Sequence, residues 1–335
     1  MKPLRVLSLF DGISCGQVAL ERAGIPVEVY YASEIDKYAI QVTQKNYPNT
    51  IQLGDVEKID FTEFIGKIDL IMGGSPCQDL SIAGKRKGLS GERSGLFYKF
   101  VEAIEVIKPK YFLLENNVGM PKEAYEEMSR LMGCYPIEIN SALVSAQTRK
   151  RYYWINFGHR QINLFGFPKV DIPQPKNKGI LLKDVLESGY APDDKSRCIQ
   201  SSIGRTTERE YFKKNQGQMV LEPLRLGQVG KDGQGQRIYS VRAKSVSLTQ
   251  NSGGVGGTTG LYKIDLPDGE YLIRKLTPLE CERLQTLPDG YSEGVSNTQR
   301  YKAIGNGWTV DVIAHIFSFL KEELENEKQE LSTIR

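Results

Sequence analysis

A cysteine on a glycine- and proline-rich turn is the position in this sequence best suited to chemistry. The turn Gly73-Gly74-Ser75-Pro76-Cys77-Gln78 follows the apolar run Lys67–Met72, so Cys77 stands where a buried strand would end. A structural cysteine usually lies inside an element, whereas one at the carboxyl end of a strand is placed for nucleophilic attack. The turn by itself leaves an inert cysteine open as the alternative.

A carboxylate and two guanidinium groups follow the next apolar segments. Glu115 ends the run Lys110–Leu114, and in one parallel sheet it would share an edge with Cys77, which suits attack combined with proton handling. In an extended segment, residues 147, 149 and 151 lie on one face. Arg149 and Arg151 could there hold a phosphate or a carbonyl or stabilise a thiolate, or they belong to a solvated basic run.

Three positions near the first strands together describe a site for an adenosine without phosphates. The glycine-bearing turn Phe10–Gly16 joins a strand to a helix, although alone it equally fits an ordinary turn. Glu34 could accept hydrogen bonds from ribose hydroxyls, and Asp55 from an adenine amino group. The turn lacks the G-x-G-x-x-G pattern, which argues against a pyrophosphate cradle and a nicotinamide-dependent oxidoreductase.

The elements that must position these residues alternate between strand and helix patterns over about 150 residues, which predicts a doubly wound α/β sheet. A smaller, loop-rich and mostly β domain follows. Predicted strands are Arg5–Phe10, Val27–Ser33, Lys67–Met72, Lys110–Leu114 and Tyr152–Phe157, and predicted helices are Gly16–Ala23, Lys37–Asn46, Leu96–Ile107, Pro121–Met132, Thr277–Gln285 and Val310–Glu325.

The middle of the chain differs in composition and charge. Residues 166–179 are rich in Pro, Gly and Lys and are predicted to be a linker. Residues 180–270 contain glycine runs that fit either a β module or a disordered insertion. Between Lys195 and Lys244, eleven Lys and Arg against four Asp and Glu leave a net charge of +7 in a chain of +3. This indicates a polyanionic partner or a solvated surface.

Composition excludes several classes of protein. The five cysteines include no C-x-x-C pair, which argues against a disulfide framework and a zinc ribbon. His159 and His315 lack ligand spacing and are assigned structural roles, so no metal is expected. No apolar run approaches the ~18 residues of a membrane span, and no signal peptide is visible. We therefore expect a cytoplasmic protein.

Taken in order, these motifs resemble the cytosine-C5 DNA methyltransferases. The resemblance covers about residues 4–157 and 272–320. It implies a catalytic and cofactor-binding domain over 1–159, a target-recognition domain over 160–271, and a C-terminal segment, 272–335, that returns to the first domain. The strings that carry it are FDGISCG, GGSPCQ, ENN (115–117), QTRKR, RKLTPLECERLQTLPDGY (274–291) and IGNGW (304–308), with Glu34 and Asp55.

The resemblance implies a role for each motif. Cys77 would attack C6 of a flipped cytosine, Glu115 would bind the N3/N4 edge, and Arg149 and Arg151 would hold the base. The cofactor would be S-adenosylmethionine, with S-adenosylhomocysteine as product. Its expected ligands are Phe10, Gly12, Gly16, Glu34, Ile35, Asp55, Val56, Pro76, Leu96, Asn306 and Trp308. Expected DNA contacts are Gln78, Ser81, Lys85, Arg86, Lys87, Arg93, Gln147, Arg237 and Arg242.

Two departures and several alternatives accompany the resemblance. The family usually has Val where Asn117 stands, and Ala83 occupies a loop position that is polar in some relatives. A tRNA cytosine methyltransferase and a catalytically inactive DNA-binding module are the rival functions. The SPCQ string is close to that of the animal de novo DNA methyltransferases, but the compact chain looks like a bacterial or phage enzyme. We expect duplex DNA as partner, a monomer, a nucleoid-associated location and possible pairing with a restriction endonuclease.

Overall fold

The apolar strands of the first half assemble into one seven-stranded sheet. The computed structural model describes residues 1–75, 95–162, 168–207, 211, 214, 217–223, 225–228, 237–239, 261–262 and 271–333. The strand order is β3-β2-β1-β4-β5-β7-β6. The strands are β1 (Leu4–Leu9), β2 (Val27–Ser33), β3 (Ile51–Gln52), β4 (Leu70–Gly74), β5 (Tyr111–Asn117), β6 (Ile137–Asn140) and β7 (Lys150–Ile155).

The direction of winding reverses at β1. This strand pairs in parallel with β2 on one side and with β4 on the other, and β4 continues in parallel to β5. Only then does β7 run antiparallel to both β5 and β6. Open sheets of this kind bind ligands in the crevice outside the carboxyl ends of the strands, where the order reverses. The predicted doubly wound α/β fold is confirmed.

Successive side chains of a strand point to opposite faces of the sheet, so the apolar strands present an apolar surface on both faces, and helices cover each of them. In β5, Tyr111 and Leu113 join one apolar cluster, while Phe112 and Leu114 join the other. α7 packs against α1 in the first cluster, so the end of the described chain closes onto its beginning. The helices are α1 (Cys15–Ala23), α2 (Lys37–Asn46), α3 (Gly95–Ile107), α4 (Lys122–Met132), α5 (Pro278–Leu284), α6 (Asn297–Asn306) and α7 (Val310–Thr333).

The later strands form three small sheets. The predicted linker is wrong at Pro168–Asp171, which forms β9 and pairs with β8 (His159–Ile162), because Val170 is buried and anchors the segment to the core. The other pairs are β10 (Met219–Pro223) with β14 (Tyr271–Lys275), and β11 (Arg225–Gln228) with β12 (Arg237–Tyr239) and β13 (Leu261–Tyr262). Within the described part of the chain, no helix has the length and apolar character to span a membrane.

Glycine residues let α6 and the segment 198–205 pack so closely that there is no room for a side chain between them. A Cβ atom on Gly305 would lie 2.3 Å from the carbonyl carbon and oxygen of Gln200 and 2.4 Å from the amide nitrogen of Ser201. A Cβ on Gly204 would lie 2.5 Å from the ring of Tyr301. The absence of these side chains is therefore what brings the C-terminal helices into contact with this part of the middle region.

We predict that Gly305→Ala destabilises the fold, because the added methyl group meets backbone that cannot rotate away. The free energy of unfolding should fall by about 1–3 kcal/mol, as for other overpacked sites, and urea titration measures it. Gly133→Ala is the control, since Gly133 has a φ of 68° with open space around it. That control should cost about 1 kcal/mol from backbone strain alone. A smaller loss for Gly305→Ala than for the control would contradict the packing described here.

Candidate active site

The carboxylate of Glu115 lies at the crevice formed by the carboxyl ends of β4 and β5. Glu115 pairs with Gly74 across the two strands. A Cβ on Gly74 would be 2.9 Å from Glu115 Oε2 and 3.0 Å from Trp308 Nε1, so only glycine lets these two side chains approach β4. The next residue, Ser75, is buried and its hydroxyl accepts a hydrogen bond from Asn116 Nδ2 at 3.1 Å. The chain that leads toward Cys77 is thus anchored beside Glu115.

Arg151 holds the Glu115 carboxylate from the neighbouring strand. Its Nε lies 2.9 Å from Glu115 Oε1, and both side chains are largely buried. The antiparallel register of β5 and β7 sets Tyr153 opposite Glu115 and Arg151 opposite Asn117, so the pair is diagonal. Arg151 Nη1 also donates to the carbonyl of Lys150. These contacts leave Glu115 Oε2 directed toward Gly74 and the crevice.

Arg149 is enclosed by backbone carbonyls. Its Nη1 donates to the carbonyls of Ile199 at 2.9 Å and Gly305 at 3.5 Å, and its Nη2 donates to that of Gly307 at 3.1 Å. The side chain is buried and lies against the C-terminal end of α6, where a positive charge is favourable. Arg149 therefore joins β7, the segment 198–205 and the residues beside Trp308.

Cys198 lies against both guanidinium groups, which sequence reasoning missed. Its Sγ lies 3.4 Å from Arg149 Nη1 and 3.8 Å from Arg151 Nη2. Burial alone raises the pKa of this thiol, but the two positive charges outweigh burial and the net pKa lies below the ordinary value. No spacing in the sequence signals this contact, since Cys198 follows the arginines by more than forty residues.

The turn after β1 is a carboxylate-lined loop with unusual backbone angles. Phe10, Gly12 and Ser14 have φ values of 59°, 61° and 55°. Gly12 N donates to Glu34 Oε2 at 2.8 Å, while Glu34 Oε1 accepts from the amides of Ile35 and Asp36 at 2.8 and 2.7 Å. Glu34 thus ties the turns after β1 and β2 together, and its oxygens retain lone pairs for a ligand hydroxyl.

Asp11 within this loop was not singled out from the sequence. Tyr30 Oη donates to Asp11 Oδ1 at 2.7 Å, and the Ser14 hydroxyl donates to Oδ2. Burial raises the pKa of Asp11 to about 6, although hydrogen bonds from Ser14, Tyr30 and Ser8 offset part of the increase. A cation bound beside the loop would favour the ionised form.

The apolar surface expected for an adenine ring lies at the same edge. Ile35 is 76% exposed although it follows a buried strand, and Phe10 is half-buried. Asp55 Oδ1 accepts from the amide of Glu57 at 3.1 Å and begins the next turn. Trp308 is half-buried and Asn306 is exposed. An exposed aliphatic side chain beside the carboxylates of Glu34 and Asp55 fits a nucleoside, so the residues present suit S-adenosylmethionine.

This geometry agrees with comparison to known proteins. The family model described as C-5 cytosine-specific DNA methylase matches residues 4–322. The chain belongs to that family. It is a DNA (cytosine-5)-methyltransferase, as the motifs predicted.

Relatives of this methyltransferase include bacterial and phage enzymes. The type II methyltransferase M.HhaI of Haemophilus parahaemolyticus is 33% identical over 325 residues, which cover 93% of each chain. The orphan methyltransferase M.SPRI of Bacillus phage SPR is 27% identical, covering 98% of this chain and all of its own. Among solved structures, the S. pombe Dnmt2 methyltransferase aligns with a TM-score of 0.61 and 16% sequence identity. The alignment covers 96% of this chain and 99% of that one. This structural likeness shows the fold.

Three residues predicted to contact DNA or the cofactor are packed into the interior of the methyltransferase, and their roles in binding stay predictions. Gln147 is fully buried. Its side-chain amide accepts a hydrogen bond from Ile199 and donates to Leu284 and Gln285. Gly16 is buried, and a Cβ there would lie 2.3 Å from Met72 Cε, so glycine lets α1 pack closely on β4. Val56 belongs to an apolar cluster of the core.

The remaining predicted sites are only partly described. Leu96 is half-buried at the start of α3, and Arg237 begins β12. The unexpected Asn117 accepts from the amide of Gly119 at 3.2 Å and so closes the turn after β5. Among the residues with described positions, no group of His, Cys, Asp and Glu could hold a metal ion. Outside the described residues lie Pro76, Cys77, Gln78, Ser81, Ala83, Lys85, Arg86, Lys87, Arg93 and Arg242.

We predict that Asp11 makes the stability of the methyltransferase fall as pH rises toward neutrality. The pKa of Asp11 in the folded state, about 6, exceeds the unfolded value of 3.8, so the folded state binds the proton more tightly. The resulting stabilisation is full below the unfolded pKa and is lost as pH rises through about 6. A shift of roughly two units corresponds to at most about 3 kcal/mol. Asp11→Asn should remove this pH dependence.

Urea unfolding at about pH 5 and about pH 7 tests this linkage. The stability of Asp11→Asn relative to the unmodified chain should rise between the two conditions. Asp60→Asn is the control: Asp60 is exposed, and hydrogen bonds from the Thr62 hydroxyl and amide lower its pKa. That variant should keep a constant difference over the same interval. An equally constant difference for Asp11→Asn would refute the assignment.

Proposed function

We propose that this methyltransferase extrudes a cytosine from duplex DNA and methylates C5 through a covalent bond between Cys77 and C6. The observation that carries the proposal is the Glu115–Arg151 pair, which lies beside Gly74, three residues before Cys77. A carboxyl group, a cation and a thiol at one sheet edge are the parts that this chemistry needs. A base inside a duplex hides its reactive face, so it must leave the stack at a cost of a few kcal/mol.

The covalent route balances as follows. The Cys77 thiolate forms a bond to C6, and the electron pair of the C5–C6 double bond becomes available at C5. S-adenosylmethionine, when bound, supplies an electrophilic methyl group on a sulfonium and leaves as S-adenosylhomocysteine. Loss of the C5 proton to a base then re-forms the double bond and expels the thiolate, so Cys77 is regenerated. Cysteine suits both steps because a thiolate is a good nucleophile and a good leaving group.

Glu115 and the two arginines have separate tasks in this proposal. Glu115 Oε2, which faces the crevice, would hold the N3 and N4 edge of the cytosine and manage a proton there. Arg151 fixes the orientation of Glu115 through its Nε contact. Arg149 is held by carbonyls on one side, so its role is to keep β7 and the residues around Cys198 in place against the base.

The methyl donor would lie along the carboxyl edge from β1 to β3. Glu34 would bind the ribose hydroxyls and Asp55 the adenine amino group, while Ile35 and Phe10 cover the ring. Trp308 and Asn306 would close the other side, next to Gly74. Ile35 is exposed at this edge, so its side chain is accessible to a bound adenine ring.

DNA contacts and assembly remain predictions. We propose that residues 160–271 form the target-recognition domain, and that Lys85, Arg86, Lys87 and Arg93 bind phosphates. Relatives named type II methyltransferases support a partner endonuclease, whereas phage relatives named orphan methyltransferases support a solitary role. The monomeric state and nucleoid association also stay predictions.

We predict that Cys77→Ser abolishes methylation of duplex DNA while leaving affinity for S-adenosylhomocysteine unchanged within about twofold. An alcohol is far less acidic than a thiol and cannot attack C6 at neutral pH, so turnover should fall by several orders of magnitude. Transfer of labelled methyl to unmethylated plasmid DNA measures activity, and calorimetry measures binding.

A duplex containing 5-fluorocytosine identifies the attacking residue, because fluorine at C5 prevents the final elimination. Oligonucleotides should carry the site found by bisulfite sequencing of plasmid from expressing cells. The unmodified enzyme with S-adenosylmethionine should form a protein–DNA adduct that mass spectrometry assigns to residue 77. Normal methylation by Cys77→Ser, or an adduct at another residue, would overturn the proposal.

We predict that Glu115→Gln lowers kcat by about 10²–10⁴-fold, the range typical of a removed acid–base group. The amide keeps the shape of the side chain but loses the charge that Arg151 contacts. Glu138→Gln is the matched control, since Glu138 lies on β6 at the edge of the same sheet and forms an exposed pair with Lys150 at 3.4 Å. The control should retain full activity. Equal kcat values for the two variants would remove Glu115 from the mechanism.

A further inference from the structure

Two buried glutamines connect the arginine side of the crevice with the cofactor side. Gln147 and Gln285 are both fully buried, and Gln147 Nε2 donates to Gln285 Oε1 at 3.2 Å. The two residues come from distant parts of the chain, one before β7 and the other directly after α5. A paired amide in the interior is costly to disrupt, because each unsatisfied group loses its hydrogen bond without gaining water.

The Gln147 end shares a residue with Arg149. Gln147 Oε1 accepts from the amide of Ile199 at 2.8 Å, and Arg149 Nη1 donates to the carbonyl of Ile199 at 2.9 Å. Both polar groups of Ile199 are therefore held by side chains from one short segment. Cys198, which contacts both arginines, is the preceding residue.

At the other end of the pair, Gln285 and Arg149 donate to the same backbone carbonyl. Gln285 Nε2 donates to the carbonyls of Ile304 and Gly307, each at 3.0 Å, and Oε1 also accepts from the Thr309 hydroxyl at 2.8 Å. Arg149 Nη2 donates to the same Gly307 carbonyl at 3.1 Å. Trp308, which approaches Glu115 across Gly74, is the next residue. A displacement of residues 307–308 must therefore change the contacts of Arg149 and Gln285 together.

We propose that Gln285 is a positioning residue that couples binding of DNA to binding of the cofactor. It holds Gly307 against Arg149, so a base that orders the arginine side also orders the Asn306–Trp308 segment. This inference rests on the proposed function, because it takes Arg149 to serve the base and Trp308 to serve the cofactor. Coupling between two sites is reciprocal, so each ligand strengthens binding of the other by the same factor.

The experiment measures this coupling factor directly. Calorimetry gives the Kd of S-adenosylhomocysteine with and without sheared, unmethylated plasmid DNA, and the ratio of the two values is the coupling factor. Gln285→Met keeps the approximate volume of the side chain but removes all of its side-chain hydrogen bonds. The coupling factor of the variant should be at least about fivefold smaller than that of the unmodified enzyme, a typical size for such an effect. The Kd of S-adenosylhomocysteine without DNA should change much less.

Asn46→Leu is the matched control. Asn46 Nδ2 also donates to two carbonyls, those of Val42 and Tyr291, each at 2.9 Å, but it lies at the end of α2 away from both ligands. This variant loses an amide that also bridges two carbonyls, so it lowers stability in the same way, and the coupling factor should stay unchanged. Gln147→Met should reduce coupling in the same way as Gln285→Met, and the double variant should add little because the two amides act as one unit.

The outcomes separate this inference from the proposed function. Unchanged coupling in a folded Gln285→Met variant overturns the role of Gln285, even when the unmodified enzyme methylates DNA and shows coupling. If Gln285→Met fails to fold, the test passes to Gln147→Met, and unchanged coupling there has the same meaning. Loss of coupling by Asn46→Leu also overturns it, since the effect would then follow general stability. Absence of a 5-fluorocytosine adduct in the unmodified enzyme contradicts the proposed function instead.

Discussion

The contact between Arg151 and Glu115 is the interaction on which the site depends. A carboxylate this far from water needs a partner, and Arg151 Nε at 2.9 Å provides it. The contact exists only because β5 and β7 are antiparallel in one register, which places Arg151 diagonal to Glu115. A shift of that register by one residue would move Arg151 to the opposite face of the sheet. The apolar residues of β5, buried on both faces, are what prevent such a shift.

The second constraint is that Arg149 must be enclosed by backbone from later parts of the chain. Its three carbonyl partners belong to Ile199, Gly305 and Gly307, so the site is complete only when the C-terminal helices have returned. Gly305 makes that return possible because any side chain there would overlap Gln200. The packing of α7 against α1 then closes the fold around the arginine.

Cys15 and Cys198 show that the surroundings of a thiol set its pKa. Cys15 is the first residue of α1, and burial raises the pKa of its thiol to about 12, so it is inert. Cys198 is half-buried, and two guanidinium groups lower the pKa of its thiol. Neither outcome is visible from the composition of the surrounding sequence. Asp11 is a parallel case, since its raised pKa follows from the burial of a loop whose sequence resembles an ordinary turn.

The sequence by itself determined the alternation of strands and helices, the predicted edge positions of Glu34, Asp55 and Glu115, and the family. These properties depend on local periodicity and on short motifs, which neighbouring residues along the chain are sufficient to specify. Tertiary structure decided the rest. It assigned Gln147 to the interior, made Pro168–Asp171 a strand, and brought Cys198 and Gly307 to Arg149. Such contacts join segments far apart in the chain, and no periodic pattern encodes which carbonyl an arginine will meet.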